Sequence, residues 1–102
     1  MSQYQILFTE EAKMDIKQLS DVIKYQYKSP LTAFKYIQGL VDEIKKLSVS
    51  AESYSIQTRK SFTKYGYNVR RVNYKKVSIL YTVSNKTAYI QRVIPASTIS
   101  DI

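Results

Sequence analysis

Residues 67–94 read YNVRRVNYKKVSILYTVSNKTAYIQRVI. β-Branched and aromatic residues gather there in three short runs, Tyr67–Val72, Val77–Val83 and Thr87–Ile94, separated by Asn73–Lys76 and Ser84–Lys86. Runs of this length parted by turn-sized polar breaks predict an antiparallel meander. In the middle run Val77, Ile79, Tyr81 and Val83 alternate with Ser78, Leu80 and Thr82, which points the first set inward. Leu80 interrupts the alternation. The same stretch carries Arg70, Arg71, Lys75, Lys76, Lys86 and Arg92, with Lys64 just upstream, and no acid.

Upstream, Ser48–Tyr65 is the least patterned segment, polar and rich in Ser and Thr, with Ile56 and Phe62 as candidate anchors. It reads as a long connection with one short strand or turn, and such loops in compact domains are often functional. Before it lie two amphipathic repeats. Ala12, Ile16, Leu19 and Ile23 recur at spacings of four, three and four, and Ala33, Ile37, Leu40, Ile44 and Leu47 continue in the same rhythm. Each set lines one face of a helix. Thr9 is placed to cap the first helix, with Glu10 and Glu11 at the positive end of its dipole. That helix is expected to end near Tyr27. Ser29 caps the second, and Pro30 suits a first helical position because it has no amide to satisfy. Gly39 lowers helix propensity by about 1 kcal/mol relative to Ala and marks either a close helix–helix approach or a tolerated glycine. Tyr4–Phe8 reads as an opening strand with Tyr4, Ile6 and Phe8 on one face. Ser97–Ile102 reads as a short tail.

The order is therefore β-α-α-β-β-β. It is an α+β fold in which an antiparallel meander sheet and an N-terminal strand carry a two-helix hairpin packed on one face. At 102 residues, with two glycines and two prolines, the chain is expected to be a single domain over 1–102. The absence of Cys and His excludes disulfides, thiolate or imidazole metal sites and imidazole acid–base chemistry. No metal and no cofactor is expected. No signal pattern or long apolar run is present, so the expected location is cytoplasmic, away from membranes.

The net charge of +8 is uneven. Residues 1–47 carry seven Lys/Arg against six Asp/Glu, and residues 48–102 carry nine against two. Such asymmetry suggests nucleic acid or an acidic protein partner, the alternative being a solvated basic face. Arg59, Lys60, Lys64, Tyr65, Tyr67, Arg70, Arg71, Tyr74, Lys75, Lys76 and Arg92 are the candidate binding residues. Arg70 and Arg71 are adjacent on a strand, so they point to opposite faces, one outward and one structural. Arg92 is either a surface residue or the partner of Asp15 or Asp21. Tyr65, Tyr67 and Tyr74 lie near loops and suit stacking on bases or partners. Tyr81 and Tyr89 suit the core or its seam, and a solvated turn is the default reading of Lys75 and Lys76.

The strand, the hairpin, and a meander with Arg70-Arg71-Val72, Ile79-Leu80-Tyr81-Thr82-Val83 and Ile90-Gln91-Arg92-Val93-Ile94 together resemble the RelE/ParE superfamily of bacterial toxins. So does the opening Ile6-Leu7-Phe8-Thr9-Glu10-Glu11-Ala12, with Asp15 following in the first helix. The resemblance implies the toxin of a type II toxin–antitoxin module, partnered by a cognate antitoxin with an acidic, partly disordered segment. Two mechanisms occur in the superfamily: RelE- and YoeB-like members cleave mRNA on the ribosome, and ParE-like members act on DNA gyrase.

The nuclease branch usually has an arginine two residues before the pair held here by Leu80-Tyr81, and this chain has Ser78. It also tends to end in a basic or His/Tyr-bearing segment, where this chain has Pro95-Ala96-Ser97-Thr98-Ile99. Arg92–Ile94 is close to the ParE pattern, although ParE relatives often continue with His and Arg where Pro95 and Ala96 stand. The resemblance thus favours a gyrase-directed toxin. The alternatives are a ribosome-dependent endoribonuclease using Arg71, Arg70, Lys64 and Tyr65, and a non-toxic nucleic-acid-binding or decayed toxin domain.

Overall fold

The computed structural model describes residues 3–99. The opening strand β1 spans Gln5–Phe8, with Tyr4, Ile6 and Phe8 packed on the core while Gln5 and Leu7 face outward. Helix α1 (Glu10–Tyr27) starts where the Thr9 hydroxyl accepts a hydrogen bond from the Ala12 amide at 3.1 Å. It stops at Lys28, which takes a left-handed conformation at φ 52°. Helix α2 (Pro30–Lys45) repeats the device: Ser29 Oγ accepts from the Thr32 amide at 3.2 Å, and Pro30 occupies the first turn. Each such cap contributes about 1 kcal/mol by satisfying an amide the helix cannot.

The meander forms as β2 (Arg70–Tyr74), β3 (Val77–Ser84) and β4 (Thr87–Pro95), all antiparallel. Strand β2 begins later than the sequence suggests because Asn68 takes a left-handed conformation at φ 55°, which breaks the extended run. The β3–β4 turn places Asn85 and Lys86 at φ 49° and 61°, a primed hairpin geometry whose twist matches the strands. Strand β1 pairs parallel to β4, so the sheet is mixed, in the order β1-β4-β3-β2.

The helical hairpin covers one face. Ala12, Leu40, Ile44, Leu47 and Ala51 meet Val72, Val77, Ile79, Tyr81, Ala88, Ile90 and Val93 in the main core, with Val83 at its edge. Leu80 points the other way and is fully buried there, against Phe62, Val69, Ile94 and Ile99. The interrupted alternation of β3 thus reflects a strand buried on both faces.

Three expectations are corrected. The 48–65 connection holds a helical turn α3 (Leu47–Ser50), the isolated bridge Ile56↔Arg70 and a 3-10 helix at Lys60–Tyr65 that lies under the back of the sheet. Phe62 anchors it at 2% exposure, but Ile56 does not, at 39%. Gly39 makes room for Tyr74 of β2 rather than for the other helix: a Cβ there would collide with the Tyr74 hydroxyl. The C-terminal tail is docked up to Ile99, through a 3-10 turn at Ala96–Thr98. Its remaining residues, 100–102, lie outside the described ones.

Candidate functional site

Strand β1 ends opposite Ile90, which leaves the second half of β4 with an uncovered edge beside α1. A bulge sits there: Leu80 pairs with Arg92 and Tyr81 with Ile90, so Gln91 is the extra residue. Side chains close the edge. The Thr9 hydroxyl lies 3.1 Å from the Ile90 carbonyl and 3.0 Å from that of Gln91, and Asp15 accepts the Val93 amide at 3.0 Å. The same Asp15 carboxylate receives Arg92 Nε at 2.7 Å and Nη2 at 3.0 Å. This forked bond is the first cause that holds the Arg92 guanidinium pKa above its ordinary value. Of the two readings for Arg92, the pair with Asp15 is the one realised.

The remaining sequence-selected residues fall into two surfaces and one structural position. Arg70 is the structural one. It lies across from Tyr81, on the helix side, and donates from Nη1 to the carbonyls of Tyr54 at 2.6 Å and Glu52 at 3.1 Å. It therefore does not join Lys64, Tyr65 and Arg71. Tyr81 beside it is fully buried and donates to the Ala51 carbonyl at 2.6 Å, and burial pushes its pKa up to about 12. Tyr89 is half-buried on the opposite face, across from Thr82.

The first surface is the back of the sheet. Arg71 Nε donates to Ser78 Oγ at 3.0 Å and Asn73 Oδ1 at 3.1 Å, while the Ser78 hydroxyl donates to Asn73 at 2.7 Å. Ser78 is fully buried, so it serves this polar knot and not an outside ligand. The Arg71 guanidinium lies 6.0 Å from the Phe62 ring, Phe62 meets Tyr65 at 6.5 Å, and Lys64 Nζ sits 5.2 Å over Tyr65. A hollow of about 540 Å³ opens here among Lys64, Tyr65, Gln91, Arg92, Thr98 and Glu11. Arg59 and Tyr67 line a second hollow of about 560 Å³ on the other flank of the 3-10 helix.

The second surface is a groove beside the C-terminal half of α1. Its upper part, about 290 Å³, is lined by Asp15, Leu19, Val22, Val93 and Pro95. Its lower part, about 600 Å³, shares Leu19, Val22 and Pro95 and adds Ile23, Tyr36, Lys75 and Lys76. Lys75 Nζ lies 5.1 Å from the Tyr36 ring and 5.5 Å from the Tyr74 ring, which themselves meet edge to face. The turn lysines thus form the cationic end of an apolar channel. Nothing in the α1 periodicity announces that channel beyond Val22, a large apolar residue left 52% exposed. Among the described residues no cluster of three metal-ligating side chains occurs, and no helix is long and apolar enough to cross a membrane.

The chain is a small α+β domain of the RelE/ParE toxin superfamily, a mixed four-stranded sheet with a helical hairpin on one face. The family described as the ParE toxin of type II toxin–antitoxin system, parDE, matches residues 6–99, and the chain belongs to that family. A solved structure, the chromosomal ParDE TA system from P. aeruginosa, is similar with a TM-score of 0.76 at 20% identity, over 91% of this chain and 96% of that one. No curated protein matches significantly.

Proposed function

We propose that this toxin arrests growth by interfering with DNA gyrase and is neutralised by a cognate antitoxin segment seated in the groove beside α1. Family membership supports the toxin role. The observation that carries the choice of target is Ser78. The side chain at the position of a nuclease-type arginine is buried and fully engaged by Arg71 and Asn73. Phosphoryl transfer from a 2′-hydroxyl needs a base, an acid and cations around the developing charge. Pro95–Thr98 brings no titratable side chain to the end of β4. Arg70, which a nuclease reading would recruit, is turned into the helix side.

For the antitoxin, the groove offers apolar floor along Leu19, Val22 and Ile23 and a cationic end at Lys75 and Lys76. An acidic amphipathic segment complements both, its charge speeding encounter and its apolar side chains setting affinity.

The test of the target is a supercoiling assay with purified gyrase. Inhibition at micromolar toxin is the expected result. No inhibition, together with mRNA cut in the ribosomal A site, would overturn it in favour of the endoribonuclease. The neighbouring reading frame should encode a short acidic protein that restores growth. Lys75→Glu with Lys76→Glu should slow its association and flatten the salt dependence, with dissociation less affected.

A further inference from the structure

The helical hairpin carries apolar side chains that neither core uses. Tyr25 is 86% exposed, Phe34 64% and Leu31 61%, and Val22 is also open to water. Val22 and Tyr25 sit three apart near the end of α1, and Leu31 and Phe34 three apart at the start of α2. Each pair therefore shares a helix face. The pairs flank the two-residue connection at 28–29, at the closed end of the hairpin. A ring left almost wholly in water has protein on hardly any side, so this end is a knob and not the wall of a cleft.

The second observation is electrostatic. Residues 22–41 contain Lys24, Lys28 and Lys35 and no acid, and all three lysines are exposed. The knob is an apolar tip in a cationic collar, which repels a second copy of itself. A narrow peptide finds no floor on so convex a surface. The shape fits instead a cleft in a folded protein whose rim is acidic. The knob is also preorganised: Lys28 closes α1 in a left-handed turn, and Ser29 caps α2 at once, so little freedom is lost on docking.

We propose that the closed end of the hairpin is the surface with which this toxin enters its target protein. Tyr25, Leu31 and Phe34 are the apolar anchors, and Lys24, Lys28 and Lys35 face an acidic rim. This rests on the reading of the chain as a gyrase-directed toxin and names the surface used. It also gives neutralisation a steric route. Val22, Gln26 and Thr32 line the groove assigned to the antitoxin, each within three residues of an anchor. A segment seated there stands in the path of a body wide enough to enclose the knob.

The test compares the full chain with its Leu31→Ala, Phe34→Ala double variant, in induced growth and in the supercoiling assay. Both side chains are exposed and alanine favours helix, so the fold is kept. The double variant should need about tenfold or more toxin to inhibit gyrase, the loss expected of two apolar anchors, and should no longer arrest growth at the parent's expression level. Val49→Ala is the control, an apolar side chain 66% exposed beyond the other end of α2, and should match the parent. Lys24→Gln with Lys35→Gln should slow association with gyrase at low salt and approach the parent at high salt. Parental potency in the double alanine variant, or an equal loss in Val49→Ala, overturns the proposal. So does a parent dimer that the double variant breaks, which gives the surface to a second copy. Pelleting of the parent but not the variant with phosphatidylglycerol vesicles overturns it in favour of lipid. Failure of the target reading looks different: a parent that arrests growth without inhibiting gyrase removes gyrase, and the knob stands if the double variant no longer arrests growth.

Discussion

Asp15 does the work of a missing strand. Its carboxylate, 11% exposed, satisfies both the Arg92 fork and the Val93 amide at the point where β1 no longer covers β4. Asp15→Ala leaves an arginine and a backbone donor without their acceptor, and should cost about 2–3 kcal/mol, discounted from a fully buried pair because Arg92 is partly solvated. Asp15→Asn keeps an acceptor and should cost less, a difference readable in urea midpoints. Tyr81 offers a pH test. Its folded pKa of about 12 lies above the ordinary 10.0 because burial disfavours the phenolate. The folded state therefore holds the proton more tightly, so stability is intact below pH 10 and falls as pH rises from 10 toward 12. The slope approaches 1.4 kcal/mol per pH unit in that window. Tyr81→Phe should be less stable at neutral pH, from the orphaned Ala51 carbonyl, and should show a shallower alkaline loss in thermal melts. Gly39→Ala should destabilise despite its better helix propensity, because the new methyl meets the Tyr74 hydroxyl. Combining it with Tyr74→Phe should recover part of the loss, and purely additive effects would refute that contact.

At the scale of elements, what could be read in advance is what local chemistry decides. Thr9 and Ser29 cap α1 and α2 where their hydroxyls predict, and Pro30 opens α2, because a cap needs only its own next three residues. Gly66–Asn68 misled because an Asn at φ 55° carries no periodic mark, and Val69 looks like strand whether or not it is one. The turns illustrate the same limit: Asn85-Lys86 adopts the geometry that Asn-Gly prefers, with a lysine in the glycine position at φ 61°. Lys86→Gly should therefore raise stability by about 1 kcal/mol, the strain relieved when a left-handed residue loses its Cβ, offset in part by greater chain entropy when unfolded. A rise in melting temperature without change in the far-UV spectrum would bear this out, and a fall would mean that the Lys86 contact with the Tyr4 ring, at 5.6 Å, outweighs the strain.

For the whole molecule, the sequence announced a cationic second half but not how the sheet would sort it. Alternation placed Arg70 and Arg71 on opposite faces, yet only the carbonyls of Glu52 and Tyr54, eighteen and sixteen residues away, decide that Arg70 is the structural one. The groove likewise needs α1, β4 and the β2–β3 turn together, and no single segment holds its pattern. The same non-locality hid the second core, whose members Phe62, Val69, Leu80, Ile94 and Ile99 come from the 3-10 helix, the loop before β2, β3, β4 and the tail. That core shares β3 with the first: Leu80 points into one, and its neighbours Ile79 and Tyr81 point into the other. Loss of packing on the back must therefore loosen the strand on which the front depends, so the two layers should unfold as one unit. Phe62→Ala removes a ring buried to 2% exposure and should destabilise the whole domain by about 3 kcal/mol or more. In urea its midpoint should fall while the slope of the transition stays that of the parent. A lower slope, or a separate early transition, would mean instead that the Lys60–Tyr65 layer melts alone.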